Sequence, residues 1–400
     1  MLEMEQSSTM MEVASIASVT FFDGDIDAAH SHLFSRMRTI VRANPWLAGV
    51  LSRSKMGPRK GHVQLAHPPS AAITDEIIHE LIILRPPMPK PVHRGLPYPA
   101  INARLGAHCV PSGRALLGNK KKNTRVCRLV LAEEHGAASR FILLFSVSHL
   151  VADGATYYNV LNQVTGASLT LSTGSGGGGG NTAVELVAAR KHDVSKAVAV
   201  ASGEETTRFG EPAPFIAAAV AAALFGKKAR WVAKYVDTER MAAAKVRLAE
   251  EAGLPFVSTN DVLIGELGVA IRADFIQLAV NFRGRVAGCE HVDAGNYEGA
   301  VWLDGSAGAA GVRRAISSGS DGGHGPTETP HFGAARTRPL PRGVLGALRM
   351  RTCFLSNWAT FSRPPAIPGC EEHVHLPIDP VGASETMILS PFDLGYIFRA

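Results

Sequence analysis

Two stretches of the chain place an aspartate four positions after a histidine: His149 to Asp153, and His375 to Asp379. The spacing suits proton-transfer chemistry. A neutral imidazole that titrates near neutrality takes a proton from a hydroxyl or an amine, while a carboxylate one turn later fixes the loop. The pattern alone is weak, because a chain with 15 histidines produces about one such pair by chance. Context separates the two copies. Ser148-His149-Leu150-Val151-Ala152-Asp153-Gly154 follows an apolar run, Phe141 to Val147, and precedes ATYYNVLNQV. The second copy lies in EEHVHLPIDP, where Pro377 and Pro380 predict an extended, irregular segment. The competing reading of His149 is a buried histidine satisfied by its own backbone.

The elements that must position His149 follow from the same stretch. FILLFSV, Phe141 to Val147, predicts a strand buried on both faces, and its end gives His149 a rigid support. The turn from Val151 to Gly154 folds Asp153 back beneath it, and Gly154 tolerates a tight backbone before a helix. Val126 to Leu131 predicts the preceding strand. Nearer the start, Ala14 to Phe22 is β-prone. Asp25 or Asp27 then caps a helix to about Ala43, with Ala28, Leu33, Met37, Ile40 and Val41 on one face. Asn44-Pro45 ends that helix. Trp46 to Leu51 predicts a short strand, Asp75 to Ile83 a short helix, and Pro86 to Pro99 irregular chain. Later helices are expected around Ala183 to Ala201, Ala213 to Trp231 and Asp237 to Ala252, the last closed by Gly253. Another, DVLIGELGVAIR, is capped by Asn260 or Thr259. Phe275 to Phe282, Thr352 to Phe361 and Thr386 to Phe398 predict strands. Strands and helices mix without strict alternation, so the class is α/β in layers, or α+β.

The length of 400 residues suits two domains or one large one. Ser172 to Asn181 is the natural boundary, which gives an N-terminal half 1–171, a Gly-rich linker 172–182 and a C-terminal half 183–400. No Gly-Lys-Ser/Thr follows the glycines, so this is no phosphate-binding loop. A second Gly-rich stretch, near 305–330, predicts a disordered surface insertion. Hydrophobic residues make up 46% and charged residues 19%, enough apolar material for a sizeable core. The net charge of +6 is a mild excess whose one dense run, Lys120 to Lys122, suits a solvated loop rather than a nucleic-acid surface. A modest positive field also suits an anionic cosubstrate. The five cysteines form no C-x-x-C, which argues against a disulfide framework or a zinc ribbon. The N-terminus lacks the apolar core of a secretory signal. Pro214 to Gly226 falls short of the ~20 residues that span a bilayer, so a buried Ala-rich helix is expected there, with an interfacial helix as the alternative. The expectation is a cytoplasmic protein without a membrane span.

SVSHLVADG resembles the active-site motif of the coenzyme A-dependent acyltransferases that include the plant BAHD enzymes, chloramphenicol acetyltransferase and the condensation domains of peptide synthetases. Other segments resemble that group in the same order. They are NPWLAG near the start, Val257-Ser258-Thr259-Asn260-Asp261, Val280-Asn281-Phe282-Arg283-Gly284-Arg285, Gly295-Asn296-Tyr297 and Leu355-Ser356-Asn357-Trp358. The matches run from about Ala14 to Phe398. The resemblance implies two chloramphenicol-acetyltransferase-like mixed-sheet domains with a channel between them and His149 midway. It implies acyl-CoA as cosubstrate with no bound cofactor or metal, and a small alcohol or amine as acceptor. His149 would be the general base. Asp153 would point away from the substrate to pair with Arg283, with Gly154 supporting the turn and Asn357 and Trp358 as oxyanion donors or channel residues. Relatives of this size complete one site within one chain, so a monomer is expected. Two features depart from the group. Position 148 is Ser, where chloramphenicol acetyltransferase and condensation domains double the histidine. The BAHD Asp-Phe-Gly-Trp-Gly signature has only a faint counterpart in Phe392-Asp393-Leu394-Gly395-Tyr396.

Three rivals stay open from the sequence. One is a condensation-like domain that takes its acyl group from a carrier-protein thioester. Another is a relative that binds without catalysis. The third is a metal site built from Glu371, Glu372, His373, His375 and Asp379. No G-x-S-x-G occurs, which argues against a serine hydrolase.

Overall fold

The strands in chain order are β1 (Ile16–Asp23), β2 (Val50–Arg53), β3 (Val63–Ala66), β4 (Ile82–Leu84), β5 (Cys127–Glu133), β6 (Arg140–Val147), β7 (Phe275–Asn281), β8 (Glu298–Asp304), β9 (Thr352–Asn357), β10 (Glu371–Ile378) and β11 (Phe392–Ile397). They come from a computed structural model that describes residues 1–55, 60–118, 124–166, 184–202, 236–317, 337–339, 351–359, 361–363, 365–379 and 392–397. Two mixed sheets result, in the orders β10-β1-β6-β5-β4 and β11-β9-β7-β8, with a separate β2-β3 hairpin.

β6 lies between β1 and β5 and is buried from Phe141 to Val147. Successive side chains alternate between faces. Phe141, Leu143, Phe145 and Val147 join the core under the helix Ile26–Ala43, while Ile142 and Leu144 join a second core with Ile101 and Leu105. Each such side chain contributes about 1.5–3 kcal/mol on burial, so the strand that precedes His149 is held from both sides. The second sheet has its own core around Ile276, Leu278, Leu303 and Leu355.

Asp25 caps the helix Ile26–Ala43 through the Ala28 amide at 2.8 Å. The buried face is Ile26, Ala29, Leu33, Met37, Ile40 and Val41; Ala28 faces solvent. The strand expected at Trp46 begins only at Val50. Pro45 opens a 3-10 turn instead, and the Asn44 side chain ties Ile40 and Val184 carbonyls to the Leu186 amide. The short helix expected at Asp75 spans Asp75–Leu81, and the chain passes directly into β4. Ser258, not Thr259 or Asn260, caps the helix Thr259–Ala270, in a reciprocal capping box with Asp261. The helix expected from Ala183 starts only at His192. Val187 before it bridges to Asp293 in extended chain, which delivers Arg190 to the interior.

Two expectations about domain layout are corrected. Within 305–330, Gly308–Ser317 is a helix with Val312 and Ala315 buried, so the beginning of the expected disordered insertion is ordered. The rest of that stretch lies outside the described residues, as do the linker 172–182, Lys120 to Lys122 and Pro214 to Gly226. The division at 172–182 also does not separate the sheets. β10, late in the chain, is an edge strand of the N-terminal sheet, antiparallel to β1 with Thr20 opposite His375. Among the described residues, no helix is long and apolar enough to cross a membrane.

Candidate active site

Asp153 is the N-cap of the helix Gly154–Val164, and its Oδ1 accepts from the Thr156 amide at 2.9 Å. Its Oδ2 accepts from Arg283 Nη1 at 2.7 Å and from the Tyr297 amide at 2.9 Å. Arg283 lies just beyond β7, so the pair joins the two halves. Both side chains are 1% exposed. The remaining Arg283 donors go to Asp293 O, Asn281 Oδ1, Thr156 Oγ1 and Gly295 O, so the guanidinium is fully engaged. Burial pushes the Asp153 carboxyl up. The Arg283 charge and the two amides outweigh that, and Asp153 is held below the ordinary carboxylate range. Gly295 adopts φ +138°, and a Cβ there would lie 3.0 Å from the Arg190 guanidinium. Glycine is therefore required where this backbone turns to offer its carbonyl to Arg283.

His149 stands in the turn after β6. Its Nδ1 lies 3.2 Å from Asn296 Oδ1. The Asn296 amide cannot be reversed, because its Nδ2 donates to His149 O at 2.9 Å and to Glu5 Oε1 at 3.1 Å, both obligate acceptors. An oxygen therefore faces Nδ1, which must carry a proton, and in the neutral ring Nε2 then holds the lone pair. Glu5, fully buried, also accepts from the Leu2 amide at 2.7 Å and from Arg190 Nε at 3.0 Å. Arg190 reaches on to Ala294 O and Val151 O, next to the motif.

Nε2 of His149 looks toward Glu298, whose Oε1 is 3.7 Å away. Glu298 lines a cleft between the halves, with Asp153, Gly154 and Ala155 on one side and Ala279, Asn281, Ser356, Asn357, Trp358 and Phe361 on the other. Burial pushes the Glu298 carboxyl up, aided by Asp153 and opposed by His149 and Arg283. The expectations for Trp358 and Gly154 change here, and that for Asn357 stays open. The Trp358 indole N–H donates to Ser356 Oγ at 2.8 Å, which occupies the donor proposed for an oxyanion and leaves the Ser356 hydroxyl hydrogen available. Asn357 Oδ1 accepts from the Ala359 amide, and its amide nitrogen has no hydrogen-bond partner among the described residues. Gly154 has no positive φ; a Cβ would sit in ordinary contact, 3.6 Å from Trp358 Nε1, so its part is to keep the cleft wall thin.

The second His-x-x-x-Asp copy is in a strand, not an irregular segment. His375 Nδ1 meets Thr20 Oγ1 at 2.8 Å, and Nε2 meets Tyr158 OH at 2.9 Å. Burial drives its pKa down to about 4, so the ring is a neutral bridge between β1, β10 and the helix Gly154–Val164. Among the described residues, no group of three or more His, Cys, Asp or Glu is arranged to hold a metal. Arg285 donates to Ile316 O and anchors the helix Gly308–Ser317 rather than the site. Sequence reasoning missed Glu5, Asn296, Glu298 and Ser356 as members of the site. Asn296 lay in a quoted segment without a role. Glu298 follows it by two positions in extended chain, a spacing that shares a face. Glu5 carries no local signal at all.

No family model matches the chain, and no curated protein sequence does. Solved structures do. TRI101 of F. graminearum in complex with coenzyme A and deoxynivalenol superposes with a TM-score of 0.56 at 11% identity, over 98% of this chain and 90% of that one. TRI101 of F. sporotrichioides with coenzyme A and T-2 gives 0.54 at 11%, over 94% and 87%. The first condensation domain of the CDA synthetase gives 0.50 at 16%, over 93% and 81%. The chain has the two-domain, chloramphenicol-acetyltransferase-like fold of these proteins.

Proposed function

We propose that the chain is an acyltransferase that moves an acyl group from acyl-CoA to a hydroxyl or amine of a small acceptor, with His149 as general base. One observation carries this reading. Asn296 accepts from Nδ1 of the neutral ring, so Nε2 is free to take a proton beside Glu298, which lines the cleft between the halves. The acceptor loses its proton to Nε2 as it attacks the thioester carbonyl. The resulting oxyanion is met by the Ser356 hydroxyl or the Asn357 amide, and the imidazolium then protonates the departing thiolate. Asp153 and Arg283 take no part in the chemistry. They fix the loop and clamp the halves, which keeps reacting groups within reach. The TRI101 complexes with coenzyme A favour acyl-CoA as donor. The likeness to a condensation domain favours a carrier-bound thioester as the second reading, with the same attack on a different donor.

The test is thiol release from acyl-CoAs ranging from acetyl to long-chain and aromatic, with pooled alcohols and amines, for the wild type and His149→Ala. Acceptor-dependent release that falls by roughly 10²–10⁴ in the variant is expected. Release that survives the substitution removes His149 from the role. A folded wild type that ignores every acyl-CoA but acts on an acylated carrier protein moves the donor to the second reading.

A further inference from the structure

The carboxylate of Glu298 is engaged by no hydrogen bond among the described residues, yet it lines the cleft and lies 3.7 Å from the base nitrogen of His149. The gap is too long for a direct hydrogen bond, and it is a distance that one atom hydrogen-bonded to both groups can span. The two side chains are 19% and 27% exposed, so each is largely withdrawn from water without being sealed off. The other ionised groups nearby, Asp153 and Arg283, cancel one another in their buried pair. Among the described residues that line the cleft, Glu298 is therefore the ionisable group that no Lys or Arg side chain pairs with. Trp358 and Phe361 line the same space, and aromatic faces attract cations through their quadrupoles.

We propose that Glu298 selects a primary ammonium as the acceptor, holding its nitrogen between the carboxylate and His149 Nε2. The inference rests on the acyltransferase reading and narrows its acceptor. Proton counting favours it. An alcohol loses one proton on becoming an ester, whereas an ammonium loses two on becoming an amide. Two bases meeting at one point match the second case. His149 takes the first proton and frees the nitrogen lone pair. The N–C bond forms at the thioester carbonyl, and the C–S bond then breaks. The second nitrogen proton passes to Glu298 and on to solvent, while the imidazolium returns the first to the leaving thiolate. An ammonium also satisfies a carboxylate that burial otherwise disfavours in its charged form. A hydroxyl has one hydrogen and cannot donate to both bases.

The experiment compares benzylamine with benzyl alcohol on the full chain, first by ligand-observed NMR titration and then by thiol release with the best acyl-CoA. Wild type is expected to bind the amine at least tenfold more tightly than the alcohol. E298Q is expected to lose that preference while its affinity for the alcohol stays within twofold. E298D, which keeps the charge one methylene back, should restore part of the amine preference, and thermal melts confirm that each variant is folded. Equal binding of the two probes by wild type, or an amine affinity unchanged in E298Q, overturns the proposal. Amine binding that depends on Glu298 without thiol release from any donor would leave the ammonium site standing and overturn the acyltransferase reading instead.

Discussion

At the scale of single residues, the site depends on orientation as much as on the base itself. Asn296 decides which nitrogen of His149 carries the proton, and Glu5 decides which way Asn296 points. Asn296→Ala is expected to lower kcat by about 10² with little change in KM, because the tautomer changes while the cleft does not. Nitrogen NMR shifts of the labelled histidine ring would report a mixture of tautomers where wild type has one. Asp153→Ala strands the Arg283 guanidinium in the interior and should cost about 3–5 kcal/mol, read by denaturant unfolding, along with activity. His149, Asp153 and Arg283 were legible in the sequence because their motifs are short and local. Glu5 was not, since 291 residues separate it from its partner Asn296 and no pattern links them. Trp358 was legible as part of the cleft wall, but the Ser356 hydroxyl that takes its N–H appears only in three dimensions.

At the scale of elements, the strands were the most readable part. β6 shows an unbroken apolar run that burial on both faces explains. β10 was misjudged because prolines in and after it suggested irregular chain, yet an edge strand tolerates proline where no ladder partner is needed. Its His375 makes a pH-dependent joint. The ordinary histidine value of 6.5 applies to the unfolded chain, and burial lowers it to about 4 in the fold. Between those values the unfolded chain binds more protons, so stability is full above pH 6.5 and falls as the pH drops toward 4. The loss amounts to about 3 kcal/mol at 1.4 kcal/mol per pH unit. Urea midpoints measured across that window should drop for wild type. In His375→Leu the protein should be weaker throughout, since Thr20 and Tyr158 lose their partner, but the slope from this joint should vanish.

At the scale of the molecule, two sheets of separate core composition meet across a cleft, and the Asp153–Arg283 pair is their deepest tie. Two halves were legible from length and motif order. That the late β10 belongs to the early sheet was not, because pairing between Thr20 and His375 spans 355 positions. This pairing bears on how the protein is born. While the ribosome is still making the chain, β1 pairs with β6 on one side and offers a bare edge on the other until residue 371 has emerged. A bare, apolar edge is a template for the wrong partner. A fragment of residues 1–166 is therefore expected to associate on light scattering, and adding β10 as a peptide should suppress it. The strand Glu371–Ile378 would then act as a built-in chaperone for β1, and nascent molecules would have to be shielded from the completion of β1 until that strand has emerged.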